Sequence, residues 1–294
     1  MKKIILAIIL LTTSIFSNAA TYNLKVLVAF DTNSTNFTTT QMGNYSNNFV
    51  SYLNQYIVNS NLGSTIGFSL AYNAKIPVLP YPTWNYDQLK NYYLSNQTNR
   101  GQTPKTTLTS FQKYYNADVV IVVSNPHGSS TSACGSSYVP IKSHMDSSHA
   151  TVGDLLEEPI YSIVFVTGQS ICITNPKVVV HEVGHSFGLQ HGQAVQNQYG
   201  GGHYVASEII SSGASGYADY TAPGTLLDYH TVMGVISPDE PGIHHPFFSN
   251  SSKFACGYPA VYKCGNNTAN AVGIIQAFSN RYAKRSDFFY GKIN

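Results

Sequence analysis

His181-Glu182-Val183-Gly184-His185-Ser186-Phe187-Gly188-Leu189-Gln190-His191 is the stretch on which the reading of this chain turns. Its form is H-E-x-x-H-x-x-G-x-x-H. Upstream, Asn175 reads as a helix N-cap and Pro176 as the first helical residue, with Val179, Val183 and Phe187 as the apolar stripe. Residues four apart on a helix are rotated by about 40° net. His181 and His185 therefore project from one face, one turn apart, and can grip one metal ion. Glu182 is offset by one position and can reach a water on that ion. Gly188 can adopt the left-handed conformation that ends a helix, which turns the chain and brings His191 back as a third ligand. Three neutral imidazoles with an open fourth position are the donor set of a catalytic zinc. The expected chemistry is hydrolytic, with Glu182 as general base.

Working outward, the whole chain has 294 residues, enough for one large domain with a sizeable core. Apolar residues make up 43%, which argues against disorder, and charged residues only 10%, against roughly 25% in an average soluble domain. There are 16 Lys+Arg and 14 Asp+Glu, and two of the basic residues are Lys2 and Lys3. Lys2-Lys3, an apolar run from Ile4 to Leu11 and the small residues Ser17-Asn18-Ala19 have the layout of a secretory signal. The run is shorter than the ~20 residues of a membrane span. Residues 1–19 are thus expected to be removed, leaving 20–294 as a secreted or periplasmic chain, and no second long apolar run follows. Without Lys2 and Lys3 the charges balance, so a broad electrostatic grip on nucleic acid or anionic lipid is not expected. Arg281, Lys284, Arg285 and Lys292 read as a solvated helix face.

Cys134, Cys172, Cys256 and Cys264 are an even set in an exported chain, which suggests two disulfides. Four cysteines allow three pairings. The local pair Cys256–Cys264, leaving Cys134 with Cys172, is the simplest. No C-x-x-C spacing supports a zinc site made of cysteines.

Apolar runs predict strands at Leu24–Phe30, Ile66–Tyr72, Val119–Val123, Tyr161–Thr167 and, more briefly, Gly135–Ile141. The continuous run Val119–Val123 suggests burial on both faces. Met42, Tyr45, Phe49, Leu53 and Ile57 predict an amphipathic helix. Short helices are expected at Tyr86–Tyr93 and Thr107–Tyr115, and a last one along Ala271, Ile274, Ile275, Phe278 and Tyr282. Strands and helices alternate early and loops dominate later. The fold class is α/β (α+β), one domain over 20–294, with an N-terminal part 20–192 and a loop-rich C-terminal part 193–294.

The five fixed positions of the histidine motif resemble the metzincin metalloproteases. A second feature supports the resemblance. Thr231-Val232-Met233-Gly234 lies 42 residues after His191, where that clan has a tight turn with a methionine beneath the metal. Within the clan the chain is most similar to the reprolysin-like (adamalysin-type) proteases, particularly their secreted bacterial relatives, over roughly residues 115–283. The resemblance implies a twisted, mostly parallel sheet with an antiparallel edge strand, one catalytic zinc on His181, His185 and His191, and peptide-bond hydrolysis. Cys134-Gly135-Ser136-Ser137-Tyr138-Val139-Pro140 resembles the family's edge strand, so Gly135 and Tyr138 are expected to bind substrate. Cys172 matches a cysteine shortly before the active helix, which implies a Cys134–Cys172 bridge. Phe247-Phe248-Ser249-Asn250 resembles the wall of the pocket beyond the scissile bond, so Phe247 is expected there with Met233.

Two positions depart from related patterns. Gly192 stands where reprolysins usually carry Asp, and Val235 stands where astacins and serralysins carry a Tyr. The H-E-V-G-H form with nearby glycines also resembles a mucin-directed family of secreted metzincins, so the substrate is expected to be a polypeptide or glycoprotein. The chain is expected to act as a monomer. Asp146, Asp154, Glu157 and Glu158 could bind calcium, but they lack an ordered calcium-loop spacing, so calcium is possible and not indicated. Competing readings are a catalytically silent secreted binding or adhesin domain, and an amidase or deacylase.

Overall fold

The computed structural model describes residues 20–77, 88, 107–125, 134–145, 150–192, 211, 214–219, 229–234, 243–256 and 262–288. In chain order its strands are β1 Tyr22–Asp31, β2 Ile66–Ile76, β3 Val119–Ser124, β4 Gly135–Ser137, β5 Ile163–Thr167, β6 Ala218–Asp219, β7 Tyr229–His230, β8 Ile243–His244, β9 Asn250–Cys256 and β10 Tyr262–Cys264. Its α-helices are α1 Thr39–Asn59, α2 Thr107–Tyr115, α3 Val152–Glu157, α4 Ser170–Ile173, α5 Pro176–Ser186, α6 Ala271–Tyr282 and α7 Arg285–Phe288. The signal segment 1–19, nearly all of the Tyr86–Tyr93 helix, Asp146 and Val235 lie outside the described residues.

The main sheet has the order β2-β1-β3-β5-β4. β3 runs parallel to both β1 and β5, and all six of its residues are buried, as its unbroken apolar run requires. β4 is the antiparallel edge strand, with Ser136 opposite Phe165. The fold is therefore the mixed α/β architecture expected. On one face Val26, Val28, Ile121, Val123, Val164 and Val166 meet the apolar stripes of α1, α5 and α6. On the other, Leu27, Ala29, Val120, Val122, Ile163 and Phe165 meet Leu108 and Phe111 of α2. The helix α1 starts on a capping box, in which the Thr38 hydroxyl accepts from the Gln41 amide and the Gln41 side chain accepts from the Thr38 amide.

Several element boundaries differ from the sequence reading. β2 continues through Asn73 and Lys75 to Ile76, because an edge strand can leave polar residues facing water. β5 begins at Ile163, since Pro159–Ser162 forms a 3-10 turn. β4 is only three residues long, and Ile141 leads into a second 3-10 turn.

Both disulfides form, Cys134–Cys172 and Cys256–Cys264. The first ties the start of β4 to α4, and the second closes the β9–β10 hairpin.

The C-terminal basic residues are not a uniform solvated face. Arg285 is fully buried. Its Nε donates to the Leu156 carbonyl at 2.8 Å and its Nη2 to the Ser186 carbonyl. Its guanidinium lies 5.3 Å from the Tyr282 ring centroid. Burial pulls its pKa down to about 10, opposed by nearby Tyr282 and Asp118. Arg281 pairs with Glu157 and Asp154. A buried guanidinium costs several kcal/mol in desolvation unless its donors are used; here the carbonyls that end two helices use Nε and Nη2, while Nη1 has no hydrogen-bond partner among the described residues.

Candidate metal centre

The helix α5 carries the first two histidines. The Asn175 side chain accepts from the Lys177 amide, Pro176 occupies the first turn, and Val179, Val180 and Val183 bury the helix against the sheet. Its end is sharp. The Gly188 amide donates to the His185 carbonyl at 2.8 Å and Gly188 has φ 82°, a conformation that a side chain resists. That turn returns His191 towards the helix.

The result is a convergence of three ring nitrogens. His191 Nε2 lies 3.0 Å from His181 Nε2 and 3.1 Å from His185 Nε2. A tetrahedral zinc with Zn–N of about 2.0–2.1 Å needs its nitrogens about 3.3 Å apart, so the spacing suits such an ion. Tautomers agree. His181 Nδ1–H donates to the Val232 carbonyl at 2.9 Å and His185 Nδ1–H to the Leu189 carbonyl at 2.8 Å. Carbonyls accept only, so both rings point Nε2 lone pairs at the shared point, where a cation resolves their repulsion. Among the described residues this is the one group of three or more His, Cys, Asp or Glu side chains that could hold a metal.

Glu182 sits beside these ligands, nearly buried, and its Oε2 accepts from the Ser137 hydroxyl at 3.0 Å. Met233 is fully buried, and its sulfur rests against the backbone of Gly184 in α5. The turn that holds Met233 thus also supplies, through Val232, the acceptor that orients His181.

The other expected site residues fall in different places. Gly135 lies directly against Glu182. Tyr138 packs against the apolar layer on the opposite sheet face, with Leu27, Val120 and Phe165. Phe247 packs with Tyr229 and the Cys256–Cys264 pair, under the Lys253 ammonium 4.0 Å from its ring. Its carbonyl accepts from the Val232 amide at 3.1 Å, so the Phe247 backbone borders the methionine turn. Phe248, not singled out by sequence, is the aromatic that packs against α5 at Gly184. Asp154 and Glu157, weighed for calcium, are engaged by Arg281.

Behind the turn lies a second pair of histidines, which as loop histidines read from sequence as surface or packing residues; His230 is fully buried and His244 half-buried. His230 and His244 are paired across β7 and β8, with Nδ1 atoms 3.3 Å apart, and His244 Nε2 lies 3.1 Å from the Tyr56 hydroxyl. Burial, reinforced by the Lys177 cation, pulls His230 down to about 4 and His244 down to about 2. Both are therefore neutral near pH 7.

The fold and the three-histidine convergence together define a mixed α/β domain with a candidate metal centre on its helix α5. Comparison of families narrows this: residues 43–192 match the reprolysin-like metallopeptidases of family M12B. The chain belongs to that reprolysin-like family. A solved structure titled "Structure of a chaperone-substrate complex" contains a chain that aligns with TM-score 0.58 and 16% identity over 91% of this chain. This chain spans 39% of the length of that one, and at such identity the likeness bears on the fold alone. No curated protein matches the sequence.

Proposed function

We propose that the chain is a zinc-dependent endopeptidase in which His181, His185 and His191 hold the ion and Glu182 is the general base. The observation that carries this reading is the meeting of three imidazole nitrogens beside a nearly buried carboxylate. When bound, zinc supplies Lewis acidity, which brings the pKa of a water towards ~7 and polarises the scissile carbonyl. Glu182 takes the proton of the attacking water and passes it to the leaving amine. Val232 and Leu189 keep the two helix histidines in the tautomer that ligates.

Substrate enters extended. Among the described residues β4 pairs with β5 on one side only, so its outer edge can add a peptide strand at Gly135–Ser137. Met233 and Phe247 border the pocket that takes the side chain beyond the cut. Residues 20–294 act as one catalytic domain, supported by the packing of α6, from the C-terminal part, onto β1 and α3. Export after removal of residues 1–19 is supported by the two disulfides, and among the described residues no helix is long and apolar enough to cross a membrane.

The test is cleavage of a peptide library by residues 20–294, beside Glu182→Ala, with zinc measured in both. The expected result is one zinc in each and cleavage by the wild type alone. If both bind zinc and neither cuts, the peptidase reading is lost and a binding domain on the same scaffold takes its place.

A further inference from the structure

We propose that Ser137 is a positioning residue for the Glu182 carboxylate, an assignment that rests on the general-base reading above. The last torsion of a glutamate is broad and roughly two-fold, so a carboxylate held only through its Cγ samples many orientations. Proton transfer needs one. The edge strand supplies it through two residues on the same side of its pleat, Gly135 and Ser137.

The Ser137 hydroxyl donates to Glu182 Oε2 at 3.0 Å, a hydrogen bond to an ionised group and hence among the stronger kinds. Gly135 lies so close that a Cβ there would stand 2.7 Å from both Cγ and Oε1 of Glu182. Gly135 limits where the stem can swing and Ser137 fixes the rotation of the head. Serine and glycine together thereby restrict the carboxylate to one orientation.

The strand that does this is itself secured. The Thr167 amide donates to the Cys134 carbonyl at 2.8 Å, and Cys134 is bonded to Cys172, just ahead of α5. The strand that steadies Glu182 is thus covalently tied, at its start, to α4, the short helix that directly precedes the one carrying Glu182. Ser137 is itself only partly buried, so removing its hydroxyl leaves the core untouched.

The experiment compares wild type, Ser137→Ala, Ser137→Thr and Glu182→Ala as zinc-loaded proteins in peptide cleavage, with zinc content and thermal midpoint measured on each. Misplacement of a catalytic group by about 1 Å costs up to ~100-fold in rate. Ser137→Ala is expected to lose between about 10- and 100-fold in kcat with KM, zinc content and midpoint unchanged, and Ser137→Thr to recover most of it. A serine that merely occupies a strand position would leave kcat alone or move it together with stability. Unchanged kcat in Ser137→Ala, a loss confined to KM, or a threonine variant no better than alanine overturns the assignment. If the wild type cleaves nothing, the peptidase reading fails separately. Crystal structures of wild type and Ser137→Ala then decide: a displaced or split Glu182 carboxylate supports positioning, and an unmoved one refutes it.

Discussion

Gly184→Ala is the substitution for which the structure opposes the usual rule. Gly in a helix interior costs about 1 kcal/mol relative to Ala, so the change ought to stabilise α5 by that amount. Here the added Cβ would collide with the Met233 sulfur and stand 3.2 Å from Phe248 Cε1 and 3.3 Å from Met233 Cε. Met233 and Phe248 are 0% and 1% exposed, so neither has space to retreat. Overpacking of a closed core costs about 1–3 kcal/mol. The two effects oppose, and the collision wins, with a net loss of up to about 2 kcal/mol expected. Zinc affinity should fall as well, by about tenfold, because Met233 moves the Val232 carbonyl that orients His181. The assay is urea unfolding of chelator-treated protein, with a zinc titration alongside, for Gly184→Ala, Met233→Ala and the double variant. Met233→Ala alone should cost about 2–5 kcal/mol. The double variant should be better than the sum of the singles by at least about 1 kcal/mol, since the new methyl then partly fills the space left by the sulfur. A Gly184→Ala protein more stable than wild type, or strict additivity, would refute the packing argument.

The buried His230–His244 pair sets an acid limit on stability. Both histidines have folded pKa values below the ordinary 6.5, so stability is full above that pH and is lost as pH falls from 6.5 towards about 4 for His230 and about 2 for His244. For His230 alone the loss is about 2.5 kcal/mol by pH 4.5. Urea midpoints of metal-free protein should therefore fall between pH 7 and 4.5, and fall less in His230→Asn; equal slopes in the two proteins would sink the explanation. The disulfides should differ in weight. The Cys134–Cys172 pair spans 38 residues and Cys256–Cys264 spans 8. Loop-closure entropy gives about 4 and about 2.5 kcal/mol. Unfolding of the two double-serine variants checks that order, and a larger loss from the hairpin pair would contradict it.

What was legible in the sequence is what depends on local rules. The helix α5 announces itself through Asn175, Pro176 and the Val179–Val183–Phe187 stripe, and its end through Gly188. β3 declares its burial by an unbroken apolar run. Ser137 was not legible, because a single hydroxyl on a short strand carries no periodicity and acquires its role only from a helix 45 residues later. Arg285 was misread for a similar reason. A basic residue near a chain end looks solvated until the carbonyls of Leu156 and Ser186, brought from far upstream, become its partners. The resemblance points Tyr138 to the substrate face, yet alternation from Gly135 and Ser137 puts residue 138 on the opposite side, and the ring packs behind the sheet.

The grip of the last helices on α5 gives the chain an order of completion. Tyr282 donates to the Phe187 carbonyl at 3.0 Å and Arg285 to the Ser186 carbonyl. These are the backbone groups at the bend that turns His191 back. They lie 95 and 99 residues upstream of their partners. Contacts of such separation close late, since the intervening chain must be ordered before they form. A chain emerging from synthesis or export therefore has all three histidines available long before it has the groups that fix their geometry. Any chain interrupted before Tyr282 lacks them, so the settled geometry of the three histidines is among the last properties the folding polypeptide acquires.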